Sequence, residues 1–136
     1  VREFMEMVAR VGEPAPDFTM QFVRLLDRVP RTMRLADYRG NWLMLAFYPS
    51  DFSFVCPTEL IAFNSHIPDF QQRQCQVLAV SADSVESHSE WLSTPVVDGG
   101  LGAIHFPLAS DPGGVVAQSY EVWLSSRQVA TRGLFI

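Results

Sequence analysis

The hydrophobic and polar positions of this chain predict strands and helices in alternation. Phe18, Met20 and Phe22 alternate with polar or small residues, a pattern typical of a strand with one buried face. Later apolar runs are nearly continuous, as in strands covered on both faces. These runs predict further strands at residues 42–48, 75–81, 106–108 and 131–136.

Helical spacing appears between these strands. The first such pattern follows Cys56 and consists of Leu60, Phe63, Ile67 and Phe70. Pro68 lies inside it, and an interior proline kinks or breaks a helix, so we expect a break at 65–67.

Two more helices are predicted further along the chain. Ser84 is a typical N-cap for a helix that reaches Leu92, and Ser110-Asp111-Pro112 is a typical start for a helix through Tyr120. Strands that alternate with helices predict an α/β sheet with crossover connections. The remaining segments are polar or glycine-rich, and we interpret them as turns and loops: 27–34, 37–41 and 94–102.

Composition limits the class of protein. The 136 residues, about half of them apolar, predict one folded domain over 1–136 with a sizeable core. A net charge of −5 argues against nucleic acid or an anionic membrane as the main partner. Two cysteines are too few for a disulfide scaffold, which favours a reducing, cytoplasmic setting.

The segment 49–59 carries the strongest chemical signal. Cys56 stands there between a predicted central strand and a predicted helix, with the hydroxyl of Ser53 three positions earlier. A helix start lowers a thiol pKa, and the thiolate is the nucleophile. A lone cysteine is more often a small buried hydrophobe, but ligands of α/β sheets bind at this kind of strand-to-helix junction.

Phe47-Tyr48-Pro49 through Cys56-Pro57-Thr58-Glu59 resembles the active-site loop of a typical two-cysteine peroxiredoxin. The resemblance implies a thioredoxin-like fold, with a central mixed sheet flanked by helices. It also implies thiol-dependent reduction of hydrogen peroxide and alkyl hydroperoxides. Further segments match the family in order and spacing: 75–77, 81–84, 91–95, 99–102, 106–111 and 132–136.

The resemblance assigns roles to five residues. Cys56 is the expected peroxidatic nucleophile, which becomes a sulfenic acid, and Arg132 is expected to stabilise its thiolate and hold the peroxide. Ser53 replaces the family's usual threonine and keeps the hydroxyl. Pro49 is expected to shield the thiol from water. Glu59 is expected to orient Arg132, although an exposed first-turn carboxylate favoured by the helix dipole is a nearly equal alternative.

Other candidate residues receive less specific interpretations. Cys75 matches a structural position of the family and not its resolving cysteine. The histidines lack the spacing of a zinc site, and we interpret His66, His88 and His105 as surface or loop residues. Trp91 is expected to pack near the site. We therefore expect no metal and no organic cofactor.

The resemblance departs from the family at Ile136, where the family continues into elements that include an arm with the resolving cysteine. We therefore expect a C-terminally truncated form that lacks those elements. For the full-length form the resemblance implies a homodimer or higher ring and a thioredoxin-like or AhpF-like electron donor. The alternative is a redox sensor or chaperone-like binding protein with little turnover. A thioredoxin-like disulfide reductase is disfavoured because the chain has no Cys-x-x-Cys pair.

Overall fold

A computed structural model describes residues 8–53 and 56–136, and for Cys56 it describes the backbone alone. The described residues form strands and helices in the alternating order that the sequence predicts. The strands are β1 (Thr19–Val23), β2 (Arg31–Arg34), β3 (Trp42–Phe47), β4 (Cys75–Ser81), β5 (Leu108–Ser110), β6 (Trp123–Leu124), β7 (Val129–Ala130) and β8 (Gly133–Phe135). The α-helices are α1 (Cys56–Ser65), α2 (Ile67–Gln72), α3 (Val85–Ser93) and α4 (Val115–Ser119).

Six of the strands form one mixed sheet in the order β2-β1-β5-β4-β3-β8. The central strands β3, β4 and β5 are parallel, and β1, β2 and β8 join in antiparallel fashion. The predicted mixed sheet is confirmed. None of the helices among the described residues combines the length and apolarity that crossing a membrane would need.

The sheet is buried on both faces, which explains the continuous apolar run of β4. Alternate side chains of this strand belong to two separate core clusters. Val77 and Ala79 pack with Leu60 and Trp91 on one face, whereas Leu78 packs on the other. Side chains of successive strand residues point to opposite faces, so both must be apolar.

The predicted break at Pro68 is confirmed. Helix α1 ends at Ser65, and α2 begins at Ile67 with Pro68 in its first turn. A proline is tolerated there because the first turn of a helix has no intrahelical partner for its N–H groups.

Three strand predictions differ from the structure in extent or kind. Segment 27–34, which we interpreted as a turn, contains the edge strand β2, where Met33 alone is buried. The strand expected at 106–108 lies at Leu108–Ser110, because only this part pairs with β1 and β4. The strand expected at 131–136 is limited to Gly133–Phe135, the residues that pair with β3.

The helix expected from Asp111 to Tyr120 is interrupted near its start. A 3₁₀ turn at Pro112–Gly114 precedes α4, with left-handed backbone at Gly113 (φ 75°) and Gly114 (φ 69°). The Asp111 carboxylate accepts hydrogen bonds from the amides of Val116 and Ala117 at 3.0 and 2.9 Å. Burial raises the pKa of Asp111, and these bonds oppose the shift.

The two glycines before α4 offer a matched test of packing against backbone strain. A Cβ on Gly114 would collide with the indole ring of Trp123, whereas a Cβ on Gly113 meets open space. We expect Gly113→Ala to lower the free energy of unfolding by about 1–2 kcal/mol, the cost of left-handed backbone. We expect Gly114→Ala to lower it by about 2 kcal/mol more, because overpacking is added. Equal losses in urea titrations would contradict this.

Candidate active site

The site forms where β3 ends, α1 begins and β8 starts. Helix α1 begins at Cys56, nine residues after β3 ends at Phe47. Strand β8 pairs with β3 so that Gly133 lies opposite Phe47. Arg132 directly precedes Gly133, and the pairing therefore brings it beside the segment that leads to Cys56.

Arg132 and Glu59 are in direct contact although 73 positions separate them in the chain. The Nε–H of Arg132 donates a hydrogen bond of 2.9 Å to Glu59 Oε1. Both side chains are partly exposed, at 46% and 39%. Glu59 lies in the first turn of α1, so its carboxylate holds the guanidinium next to the start of this helix.

The other predicted site residues lie on the chain segment before α1. Pro49 and Ser53 are half-buried in the loop that follows β3. The side chain of Cys56 lies outside the described residues. Its backbone position at the first residue of α1 is the place where free amides and the helix dipole stabilise an anion.

A buried carboxylate that the sequence analysis missed fixes this loop. Asp51 Oδ1 accepts a hydrogen bond from the Tyr48 hydroxyl at 2.7 Å. Its Oδ2 accepts one from the Ser87 hydroxyl at 2.8 Å and lies 2.7 Å from Nδ1 of His88. Burial, followed by the charge of Asp51, raises the pKa of Tyr48 well above 10, so the phenol stays a donor.

The expectation that His88 is a surface or loop residue is wrong, because its side chain is fully buried. His66 and His105 are exposed, as expected. The signal for His88 was its spacing in α3, where the buried residues Val85, His88, Trp91 and Leu92 share one helix face. The sequence contained this pattern, but the surface interpretation rested on the scattered positions of the three histidines and their lack of zinc-site spacing.

Hydrogen-bond geometry defines how many protons the His88–Asp51 pair holds. Nε2 of His88 lies 2.8 Å from the carbonyl oxygen of Ala109, which can only accept, so Nε2 carries a hydrogen. The contact between Nδ1 and Asp51 Oδ2 needs one more proton between the two atoms. With that one shared proton, the pair carries no net charge in the core, whichever of the two atoms holds it.

Asp83 connects the same loop to the end of β4. Its Oδ2 accepts hydrogen bonds from the backbone amide of Asp51 at 2.8 Å and from the Ser81 hydroxyl at 2.6 Å. Its backbone carbonyl accepts a further bond of 2.6 Å from the Ser110 hydroxyl. The loop that carries Pro49 and Ser53 is thus connected through Asp83 to β4 and β5.

Trp91 packs near the site, which confirms the expectation for this residue. Its fully buried indole lies 5.8 Å from the Tyr48 ring and 5.9 Å from the Phe52 ring, centroid to centroid. Its Nε1–H donates to the carbonyl oxygen of Gly99 at 3.0 Å. In the described part of the chain, no cluster of His, Cys, Asp and Glu side chains could hold a metal ion.

Residues 11–136 match the sequence pattern described as the AhpC/TSA family. Peroxiredoxin-2 of Rattus norvegicus is 47% identical over 128 residues, which are 94% of this chain and 64% of the relative. Peroxiredoxin tpx1 of Schizosaccharomyces pombe is 43% identical over 130 residues, which are 96% of this chain and 67% of that protein. The chain belongs to the AhpC/TSA family, and the predicted resemblance to peroxiredoxins is confirmed.

Solved structures agree with this assignment. The reduced 2-Cys peroxiredoxin of Plasmodium vivax superposes with a TM-score of 0.87 at 33% identity, covering 93% of this chain and 65% of that one. AhpC of Enterococcus faecalis gives a TM-score of 0.80 at 33% identity, with coverages of 88% and 68%. The predicted thioredoxin-like fold of the family is thereby confirmed, and the chain spans about two thirds of the length of these relatives.

Removal of the buried histidine tests the Asp51 network. We expect His88→Leu to lower the free energy of unfolding by about 3–5 kcal/mol, since it leaves the buried Asp51 carboxyl group without its histidine partner. His66→Leu is the matched control, because His66 pairs with Asp69 at 3.1 Å in an exposed position. Urea titration of both variants is the measurement, and similar losses would contradict a buried ion pair.

Proposed function

We propose that this protein is a thiol peroxidase of the peroxiredoxin type, which reduces hydrogen peroxide and alkyl hydroperoxides through Cys56. The observation that carries the proposal is the Arg132–Glu59 hydrogen bond at the first turn of the helix that Cys56 begins. It holds a permanent cation beside the helix start, and both features favour a thiolate. The family and its peroxiredoxin relatives support the same chemistry.

The reaction begins with attack of the Cys56 thiolate on one peroxide oxygen. An S–O bond forms, the O–O bond breaks, and the second oxygen leaves as water or an alcohol after it takes up a proton. Cys56 is oxidised to sulfenic acid and the peroxide is reduced. Arg132 stabilises the thiolate and the leaving oxygen, the Ser53 hydroxyl binds the peroxide, and Pro49 limits access of water.

The sulfenic acid then needs a second thiol. Cys75 begins β4 and lies opposite Trp42, at the start of β3, whereas Cys56 follows the end of β3. Strand β3 is six residues long, about 20 Å, which separates Cys75 from the site and supports a structural role for it. We therefore propose a thioredoxin-like or AhpF-like donor as reductant, and a homodimer or higher ring as the assembly of the full-length form, in the cytoplasm.

The two cysteines make a direct test. Cys56→Ser is expected to abolish consumption of peroxide in the presence of a thiol donor, because the attacking sulfur is lost. Cys75→Ser is expected to retain most of the rate. Many turnovers per Cys56 support an enzyme, whereas a single oxidation event would favour a redox sensor. If only the Cys75→Ser variant lost peroxide consumption, the assignment of Cys56 as the peroxidatic cysteine would be contradicted.

The role of Glu59 is testable apart from stability. Partly exposed ion pairs contribute about 0.2–1 kcal/mol, so Glu59→Gln should change the free energy of unfolding little. The rate constant of Cys56 oxidation by peroxide is expected to fall about tenfold, since the charged acceptor that orients Arg132 is weakened. Asp69→Asn, an exposed carboxylate on α2, is the control. An unchanged rate constant would assign Glu59 to the helix dipole alone.

A further inference from the structure

Helix α1 has few apolar anchors for an element that carries a reactive residue. Among its described side chains, residues 57–65, Leu60 alone is fully buried. Ile61 and Phe63 are half-buried against the same core cluster. Polar contacts between this helix and distant segments therefore have a large share in fixing its position.

Asn64 makes such contacts with both ends of its side-chain amide. Its Nδ2–H donates to the carbonyl oxygen of Ala103 at 2.6 Å, and its Oδ1 accepts from the backbone N–H of His105 at 2.8 Å. The Ala103 carbonyl can only accept and the His105 N–H can only donate. The amide nitrogen of Asn64 must therefore face Ala103 and its oxygen must face His105, so only one amide orientation fits. The side chain thus donates one hydrogen bond to the loop backbone and accepts one from it, as a paired strand does.

The segment that Asn64 binds is itself seated in the core. Ile104 lies between the two bonded residues and is 2% exposed, and Leu101 and Phe106 flank it as buried residues. The segment 99–105 is thus a loop whose buried side chains, Leu101 and Ile104, belong to the same core cluster as Leu60 and Trp91. We call it the clamped loop.

The clamped loop also reaches the loop that precedes Cys56. The carbonyl oxygen of Gly99, at its first residue, accepts the indole hydrogen bond of Trp91. The Trp91 ring packs against Phe52, one position before Ser53. Asn64 therefore stands at one end of a set of contacts that runs from α1 through the clamped loop and Trp91 to Phe52.

We propose that Asn64 is a positioning residue for the peroxide reaction, which clamps segment 99–105 onto the cysteine helix and so holds Cys56 in its reactive geometry. Nothing in this role requires Asn64 to touch the peroxide. The proposal rests on the proposed peroxidase function, but the clamp itself is a structural device that can be measured without peroxide.

The test uses the Cys75→Ser background, in which Cys56 is the one cysteine of the 136-residue sequence. In this background, Asn64→Ala is expected to slow oxidation of Cys56 by hydrogen peroxide about tenfold, because two ordinary hydrogen bonds that hold the site are lost. Alkylation of Cys56 by iodoacetamide also uses the thiolate, so it is measured about one pH unit above the ordinary thiol pKa of about 8.5, where the sulfur is largely ionised without help from the site. Under these conditions alkylation depends on access to the sulfur and is expected to become faster. Stopped-flow and intact-mass measurements give the two rate constants.

Two further variants complete the design. Ser65→Ala is the matched control, since the Ser65 hydroxyl bonds only the Ala62 carbonyl of its own helix among the contacts described, and it should leave both rate constants unchanged. Asn64→Asp keeps the acceptor for His105 but places a second acceptor against the Ala103 carbonyl oxygen, so it should shift both rate constants in the same directions as Asn64→Ala. It also provides a second variant if Asn64→Ala does not fold.

Hydrogen exchange separates failure of the clamp from failure of the proposed function. The amide of His105 is expected to exchange faster in both Asn64 variants than in Ser65→Ala. If the unsubstituted chain does not react with peroxide, the proposed function fails, while exchange and alkylation still test the clamp. Oxidation and alkylation rates that stay unchanged, or that fall together, would overturn the positioning role.

Discussion

Burial of the central sheet on both faces is the constraint on which the rest of the structure depends. Strands β3 and β4 place apolar side chains in both core clusters, so no polar side chain is tolerated along their middles. Polar and reactive groups are therefore confined to the strand ends. The carboxyl ends of β3, β4 and β5 lead to Asp51, Asp83 and Asp111 respectively, and the site develops at the first of these.

The Asp51 network makes the loop after β3 rigid enough to serve a site. A buried carboxylate is costly unless it is paired and hydrogen-bonded, and Asp51 meets both needs with His88, Tyr48 and Ser87. His88 and Ser87 both lie on α3, and Tyr48 directly follows β3. The loop therefore depends on β3 and α3 both being in place.

The part of the fold that depends on local signals could be predicted from sequence. Apolar runs identified β3 and β4, and Pro68 identified the break between α1 and α2. Strand β2 could not be predicted, because its polar edge position leaves only Met33 with an apolar signal. The β6–β7 hairpin is two residues long on each side and has no detectable period.

The residues of the candidate site also divide into those that the sequence predicted and those that it did not. The residues near Cys56 were predicted from a contiguous motif, and Arg132 was predicted from the family resemblance. The helical spacing of His88 indicated its burial, but the partners of His88 and Asn64 lie 37 to 41 residues away, and a single sequence carries no record of such pairing. What makes both residues important is a backbone or carboxylate partner that only the folded chain brings within reach.

The buried Asp51–His88 pair and the partly exposed Glu59–Arg132 pair should differ in how their residues change during evolution. Asp51 and His88 neutralise each other without solvent, so a lineage that loses one member passes through an unstable intermediate. We expect these two positions to be retained or exchanged jointly among descendants of this chain. Glu59 and Arg132 face solvent, and folding imposes no such joint constraint on them. Drift at that pair would therefore report relaxed selection on chemistry rather than on stability.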